Sequence, residues 1–355
     1  YMEKVIMAMS GGVDSSAAAV MLKEQGYEVC GATMHLFDNE TAGIENSRTC
    51  CSLTDVEDAR NVCFMLDIPH YVFNYKDIFK KQVIDRFIKT YENGGTPNPC
   101  IDCNKYLKFN ELERRMKELE YDYVATGHYA IKERSGDRWI LKKGIDLTKD
   151  QSYVLYGIKQ DQLAHMLFPL GTFTKAQVRE FAEKHGLQNA HKRESQDICF
   201  VSGGKYTDFL RRYTGHDYKQ GDFVDLQGHK LGTHKGIVNY TIGQRKGLGI
   251  AYTEPLFVCS KNPKNNTVVL GTEGDLYSDT LTADNINFIS IDNLKTPMRL
   301  KARTRYNSKE QDAVVEQTGD DEIIVKFDKP QRAISRGQAV VLYDGDVVIG
   351  GGTIK

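Results

Sequence analysis

The sequence predicts an α/β protein in three parts: an N-terminal parallel sheet flanked by helices, a small central β-rich domain and a C-terminal antiparallel β-barrel. Three observations predict it. Short apolar strands alternate with amphipathic helices through the first half, the pattern of a parallel sheet covered on both faces. The stretch Val5-Ile6-Met7-Ala8-Met9-Ser10-Gly11-Gly12-Val13-Asp14-Ser15-Ser16 reads as a buried strand, a glycine turn and a helix start. After Gly203 glycine becomes frequent and the runs turn short and β-like, ending in Gly350-Gly351-Gly352.

Each element follows from its local pattern. After the first strand, Asp14, Ser15 and Ser16 cap a helix that runs on through Ala17, Ala18, Ala19, Val20, Met21 and Leu22. Residues 29–35, 70–74 and 121–126 read as strands, and 54–66, 76–91 and 104–119 as helices. Thr174 and Gln177 form a capping box opening a helix to about residue 185. From about Asn285 the β-rich runs include 323–327 and 339–342. The expected division is residues 1–204, 205–281 and 282–355.

Composition narrows the class. With 355 residues, 40% apolar and 27% charged, the chain is expected to be globular and to hold about two or three domains. No run approaches the roughly 20 apolar residues that span a bilayer, and no charged-then-apolar leader is seen, so no membrane partner is expected. Eight cysteines without framework spacing suit a reducing compartment, and a cytoplasmic location is expected. A net charge of −1 confines any nucleic-acid surface to a local patch.

The glycine turn is the most informative motif. A strand–glycine turn–helix unit points backbone N–H groups at one spot, glycine removes the Cβ that would block an anion, and the helix dipole adds positive potential. It has neither the Lys of a GxxxxGK[ST] loop nor the spacing of GxGxxG. A plain βα turn is the bland alternative. The residues resemble the SGGxDS pyrophosphate loop of ATP pyrophosphatases, enzymes that cut ATP to AMP and pyrophosphate while adenylating an oxygen.

Three cysteines sit in suggestive contexts. Cys100 and Cys103 form a CxxC behind Thr96-Pro97-Asn98-Pro99, and Cys199 lies in Ser195-Gln196-Asp197-Ile198-Cys199-Phe200. Cys103 is placed at the start of the following helix, where Lys105 and Lys108 would favour its thiolate. The alternatives are a zinc or redox CxxC with Cys199 in the core. A closed zinc site needs a fourth ligand and there is no second CxxC, while a thioredoxin-like motif needs another fold. Cys30, Cys63 and Cys259 read as packing residues; the vicinal Cys50-Cys51 suggests no mechanism.

Two regions favour RNA. Between Lys205 and Lys246 there are eight Lys or Arg against four Asp, with His216, His229 and His234 added. In 299–306, strand alternation puts Arg299, Lys301, Arg303 and Arg305 on one face, followed by Tyr306, with no acidic residue from Lys295 to Lys309. Such a stripe suits phosphates and the ring suits stacking. A solvated edge strand guarded by basic side chains is the alternative.

SGGVDSS (10–16), TPNPCIDCNKYLKF (96–109), ATGHYA (125–130), LTKDQSYVL (147–155), SQDICF (195–200), YTIGQRKGLG (240–249) and KARTRY (301–306) together resemble the tRNA-specific 2-thiouridylase family, in family order and over nearly the whole chain. The resemblance implies an adenine-nucleotide hydrolase-like N-terminal domain acting on the wobble uridine of tRNAs for Lys, Glu and Gln. It implies ATP and Mg²⁺ at Ala8, Met9, Ser10, Gly11, Gly12, Val13, Asp14 and Ser15, with Met34 as an adenine contact and Gly127 also at the nucleotide. Met34 and Gly127 follow strand ends, where open α/β sheets bind ligands, although a core Met and a turn Gly are the ordinary readings. It implies tRNA contacts at Asn98, Pro99, Cys100, His128, Lys149, Asp150, Gln151, Arg305, Tyr306 and Gln338. On its own His128 reads as a satisfied loop histidine.

The implied chemistry begins with attack of the uridine C2 oxygen on the α-phosphate of ATP, with Asp14 placing Mg²⁺–pyrophosphate. AMP then leaves as sulfur arrives from a persulfide on Cys199, with Cys103 resolving the link, and a cysteine desulfurase or sulfur-relay protein supplies the sulfur. The wobble base must leave its stack to reach the pocket. Many family members carry Asp where this chain has Cys100. Cys100, Cys103 and Cys199 also resemble the three ligands of iron–sulfur thiolation enzymes, so a cluster is the alternative to the persulfide. Another ATP-pyrophosphatase ligase would share the loop without needing Cys103 and Cys199, and a non-catalytic RNA-binding protein would keep only the basic stripe.

Overall fold

The structure is a computed structural model that describes residues 2–38, 53–192, 198–201 and 204–355; Cys50, Cys51 and residues 195–197 of the SQDICF motif lie outside the described residues. The chain forms two compact units. The first comprises Tyr1–Val83, Pro99–Gly204 and Asp346–Val348, and the second Ile84–Asn98, Lys205–Gly345 and Ile349–Lys355.

The first unit is built on a five-stranded parallel sheet of β1 (Lys4–Ala8), β2 (Glu28–His35), β3 (His70–Asn74), β4 (Tyr123–Ala125) and, beyond the antiparallel hairpin β5 (Ala130–Ser135) and β6 (Arg138–Lys143), the short β7 (Met166–Leu167). Its order is β3-β2-β1-β4-β7. The chain therefore leaves β1 to one side for β2 and returns on the other for β4, with Val5 paired to Val29 and to Tyr123. This reversal opens a crevice at the carboxyl ends of β1 and β4, where open α/β sheets bind ligands. Helix α1 (Val13–Glu24) fills the space beside it. Its three alanines, Ala17–Ala19, are fully buried with Val20, Met21 and Leu22, because small side chains let the helix lie close to the strands. The Lys175–Lys184 helix adds Val178 and Ala182 to the same core, behind a Thr174 cap whose hydroxyl accepts from the Gln177 amide.

The helix expected at 104–119 begins earlier. Helical structure starts at Pro99, runs to Cys103, continues as a π-helical stretch over Asn104–Glu111 and ends as the Leu112–Glu118 helix. Proline suits a first helical position because its missing N–H would have no partner there. Cys103 thus stands a full turn inside the helical run, and Cys100 occupies its first turn.

In the second unit, the Asp85–Glu92 helix packs on the Tyr206–Thr214 helix. Tyr91 stacks on Tyr206 at 4.3 Å between centroids, and Phe87 meets Phe209 edge-on at 6.2 Å. β8 (Gly221–Val224), β9 (Lys230–His234), β10 (Phe257–Asn262) and β11 (Thr267–Gly271) form a small sheet of order β10-β11-β8-β9 over a core that includes Phe223, Val258, Val268 and Leu270. β12 (Tyr277–Phe288), β13 (Met298–Arg303), β14 (Gln311–Gly319), β15 (Glu322–Arg332), β16 (Ala339–Asp344) and β17 (Val347–Ile354) follow in the order β12-β15-β14-β13-β16-β17. Pairing of β12 with β17, through Ala283 and Ile354, closes the expected antiparallel barrel and removes its free edges.

Phe209 is 2% exposed between Phe87 and Tyr213. Phe209→Ala is expected to lower stability by about 3–5 kcal/mol, read as a shift of the urea midpoint. A loss below about 1 kcal/mol would show that this pairing does not organise the second unit.

Candidate active site

The Ser10–Ser16 turn leaves β1 at the crevice mouth. Gly11 takes the left-handed backbone (φ +71°), and a Cβ there would lie 2.5 Å from the Asp55 carbonyl oxygen, so no larger residue fits. Two carbonyls of the turn are engaged. Gly12 O accepts from Ser15 Oγ (3.1 Å), Ser16 Oγ (3.0 Å) and the Ser16 amide (3.2 Å), while Gly11 O accepts from Asn189 Nδ2 (3.1 Å) and Lys192 Nζ (3.2 Å). The amides are treated differently. Helix α1 starts at Gly12 with no side-chain cap, which leaves its first N–H groups without the partner most helices supply. The expected capping by Asp14, Ser15 and Ser16 is therefore corrected: those residues lie inside the first turn, and the two serine hydroxyls turn back to a carbonyl. An uncapped helix start behind two glycines, at a topological switch point, is built for an anion.

Gly127, in the loop after β4, is brought directly against this turn: a Cβ on it would lie 3.0 Å from the Ser15 nitrogen and 3.1 Å from the Asp14 carbonyl carbon. Met34, half-buried near the end of β2, pairs in register with Phe73. Ala8 and Met9 end the central strand, with Met9 buried and its amide bonded to Ala32 O. Asp14 is the one acidic residue of the Ser10–Ser16 turn. Both its oxygens accept from Lys175 Nζ at 2.7 Å, and Oδ1 also accepts from the Tyr129 hydroxyl at 2.7 Å. Lys175 is 7% exposed and its ammonium lies 5.8 Å from the Tyr129 ring centre.

A Mg²⁺ ion binds through one or two carboxylates plus substrate phosphates rather than in an all-protein cage. A lone Asp14 beside a phosphate loop suits that arrangement, with Lys175 as its counter-ion meanwhile. For an iron–sulfur cluster the donors do not fit. Among the described residues, no three His, Cys, Asp or Glu side chains are gathered to hold a metal ion, and Cys100, Cys103 and Cys199 are all described. Cys100 is exposed, and Cys103 and Cys199 are half-buried.

Several residues expected at the RNA turn out to hold the scaffold. His128 is 7% exposed, its Nδ1 is 2.8 Å from Thr126 Oγ1, and Lys108 Nζ lies 3.5 Å from Nε2. Burial, helped by the Lys108 charge, pushes its imidazole well below the usual range, so it is neutral. Asp150 is 5% exposed and accepts from the amides of Gly144 and Ser152 and from Ser152 Oγ. A carboxylate so placed folds the loop that carries its neighbours. Gln151 exchanges bonds with the Tyr129 backbone, its Oε1 accepting from the amide at 3.1 Å and its own amide donating to Tyr129 O at 3.0 Å. Lys149 stays half-exposed in the turn before it.

In the second unit Gln338 is 9% exposed and donates from Nε2 to the carbonyls of Thr96 (3.0 Å) and Pro97 (3.1 Å). It grips the segment that leads through Asn98 to Pro99, rather than presenting its amide to solvent. Arg305 Nη2 donates to Ala333 O and Ser335 Oγ, bracing the turn before Gln338. The expected stripe is corrected in two ways. β13 ends at Arg303, so Arg305 is beyond the strand. Arg299 is paired with Asp328 and Lys301 with Asp312 at 3.3 Å, carboxylates that arrive from neighbouring strands. The alternation itself is present, with Leu300 and Ala302 buried between exposed Arg299 and Lys301. Arg303 bonds to the Tyr306 carbonyl and lies over its ring at 5.6 Å. In the central segment, Lys230 pairs with Asp222 at 2.7 Å and His229 with Asp225 at 3.0 Å.

A parallel-sheet region with a glycine turn at its switch point, followed by two β-rich regions, defines the class to which the comparisons also point. The chain matches the family models "tRNA methyl transferase HUP domain" over residues 3–203, "tRNA methyl transferase PRC-barrel domain" over 207–272 and "Aminomethyltransferase beta-barrel domain" over 278–354. It is 52% identical over 357 residues to the tRNA-specific 2-thiouridylase MnmA 1 of Thermoanaerobacter sp. (strain X514), covering 99% of this chain and 98% of that one. It is 49% identical over 356 residues to the tRNA-specific 2-thiouridylase MnmA of Clostridioides difficile (strain 630), with 99% and 98% covered. The chain belongs to the tRNA-specific 2-thiouridylase family. No helix among the described residues is long and apolar enough to cross a membrane.

Sequence reasoning missed Lys175, Tyr129, Asn189 and Lys192, which the fold delivers to the turn from far along the chain. One of them left a signal. Lys175 is the first residue of a helix with no acidic residue in its first turn, where a cation opposes the helix dipole and therefore needs a carboxylate from elsewhere.

The neutral His128 sets a pH dependence. Its unfolded pKa is about 6.5 and its folded pKa is lower, so below about pH 6.5 the unfolded chain takes up a proton that the folded chain refuses. Stability then falls as pH falls. Between pH 7.5 and 5.5 the wild type is expected to lose up to about 1.4 kcal/mol more than His128→Gln. Urea denaturation at both pH values measures it; equal losses would mean that His128 is accessible to protons in the folded state.

Proposed function

We propose that the chain is an ATP-dependent tRNA-uridine 2-sulfurtransferase acting on the wobble uridine, with the three parts 1–204, 205–281 and 282–355 serving adenylation and thiolation, tRNA binding, and support of the barrel face. The observation that carries the nucleotide half is the uncapped start of helix α1, its carbonyls tied back and its amides left for phosphate, with Gly127 against it. Membership of the family over nearly the whole chain supports the rest.

ATP would lie with its phosphates on Ser10–Ser15, beside Gly127, and its adenine toward Met34. Mg²⁺, when bound, would neutralise phosphate charge as pyrophosphate leaves, held on the protein side by Asp14. Lys175, 2.7 Å from that carboxylate, keeps Asp14 in place. The uridine C2 oxygen attacks the α-phosphorus, and pyrophosphate takes the electron pair of the broken P–O bond. The terminal sulfur of a Cys199 persulfide then attacks C2 and AMP departs, leaving C2 joined to Cys199 through two sulfurs. The Cys103 thiolate attacks Cys199 Sγ, a Cys103–Cys199 disulfide forms, and the 2-thiouridine is released. A dithiol reductant restores both thiols, and a cysteine desulfurase or sulfur-relay protein reloads Cys199. Asn98, Pro99, Cys100, Lys149, Gln151, Arg305 and Tyr306 would receive the tRNA, while His128, Asp150 and Gln338 position the loops that do so.

Transfer of labelled sulfur to tRNA, followed beside tRNA-dependent pyrophosphate release, tests this. Asp14→Ala should lose both while keeping its circular dichroism spectrum; normal pyrophosphate release by the folded variant would remove Asp14 from the reaction. Cys199→Ser and Cys103→Ser should lose thiolation but keep pyrophosphate release, and Cys100→Ser should retain most thiolation. Equal loss in all three cysteine variants, with activity that depends on bound iron, would replace the persulfide route by a cluster.

A further inference from the structure

Lys192 belongs to no part of the reaction above, yet its ammonium reaches the centre of the glycine turn. It donates to Gly11 O at 3.2 Å, to Asp55 Oδ1 at 2.7 Å and to Asp58 Oδ2 at 2.5 Å. Burial works against its charge, but the bonds and charges of Asp55 and Asp58 outweigh it and hold its pKa up. Asn189, 7% exposed, gives the same carbonyl a second donor at 3.1 Å and holds Ser16 Oγ at 2.8 Å. Two carboxylates already balance Lys192, so its surroundings suit a residue that fixes geometry better than one that supplies net charge to a phosphate.

The geometry to be fixed is a peptide orientation. A trans peptide is planar, and its C=O and N–H point in opposite directions. With Gly11 O drawn toward Lys192 and Asn189, the Gly12 N–H points away from them. Glycine lies on both sides of this bond, so the backbone has little preference of its own, and a flipped peptide would turn a carbonyl oxygen where an N–H is needed. The anchorage is rigid. Asp55 and Asp58 belong to the Leu53–Met65 helix, whose Ala59, Val62 and Cys63 share the core of helix α1, and the Asp55 backbone closes the space beside Gly11.

We propose that Lys192, together with Asn189, is a positioning residue that locks the Gly11–Gly12 peptide with its N–H turned toward the nucleotide's phosphates. The proposal rests on the nucleotide reading of the turn, and the test separates the two. Binding of Mg–ATP and of adenosine to the full chain is measured by calorimetry for the wild type, Lys192→Met and Lys192→Arg. Losing a charged hydrogen bond that holds the peptide should weaken ATP roughly 10- to 100-fold in Lys192→Met. Adenosine, which has no phosphate to meet the amide, should bind unchanged, and Lys192→Arg should recover most of the ATP affinity. ATP affinity unchanged in Lys192→Met, or ATP and adenosine weakened alike, overturns the lock. A wild type that binds no ATP overturns the nucleotide reading itself. Should Lys192→Met not fold, Asn189→Ala removes the other donor while the Asp55 and Asp58 pairs remain; weaker ATP with unchanged adenosine supports the lock, and unchanged ATP overturns it.

Discussion

Helix α1 begins without a side-chain cap, and much of the first unit is arranged around that beginning. A helix start normally satisfies its free amides with a Ser, Thr, Asp or Asn side chain. Here Ser15 and Ser16 return to the Gly12 carbonyl, Asp14 is taken by Lys175 and Tyr129, and Asn189 and Lys192 occupy the Gly11 carbonyl. The side chains that might have closed the site are each spoken for. The remaining group is a set of backbone donors beside a helix dipole, an arrangement that favours anions in general.

Positive and negative charge are nearly balanced over the chain, 47 Lys and Arg against 48 Asp and Glu. Cations that look available in a linear reading are matched by carboxylates distant in sequence: Lys175 by Asp14, Lys192 by Asp55 and Asp58, Arg299 by Asp328, Lys301 by Asp312. The exposed pairs on β13 contribute little to stability, since solvent screens them. Their effect is on recognition, because a polyanion approaching that strand meets ion pairs instead of bare cations. The pairs at the glycine turn are shielded from water and act on geometry.

The barrel contributes a support that its strands alone would not suggest. Gln338 and Arg305 sit on either side of one turn, the first holding the Thr96 and Pro97 carbonyls and the second holding Ala333 and Ser335. The two prolines stiffen the 96–99 segment from within, and Gln338 fixes it from outside. The segment then enters a helix at Pro99 whose first turn carries Cys100 and whose fifth residue is Cys103.

The parallel sheet, the glycine turn, the α1 helix and the change to β structure after residue 203 were legible in the sequence, because each is encoded by local periodicity or by glycine at a tight turn. So was the alternation of β13, and the seven motifs in family order identified the family. The pairing of distant charges was not legible: Asp328 and Asp312 come from strands whose register only the closed barrel sets, so a stretch free of acids in sequence is not free of them in space. Nor was burial at single loop positions. Asp150 and Gln338, expected at the RNA, become internal ties once the loops fold back on them, and His128 is the satisfied histidine its own loop suggested. The local sequence determined the glycine turn and the helix start behind it; only the tertiary structure decided which side chains hold that backbone in place, because those partners, from Asp55 to Lys192, are far from the turn in sequence.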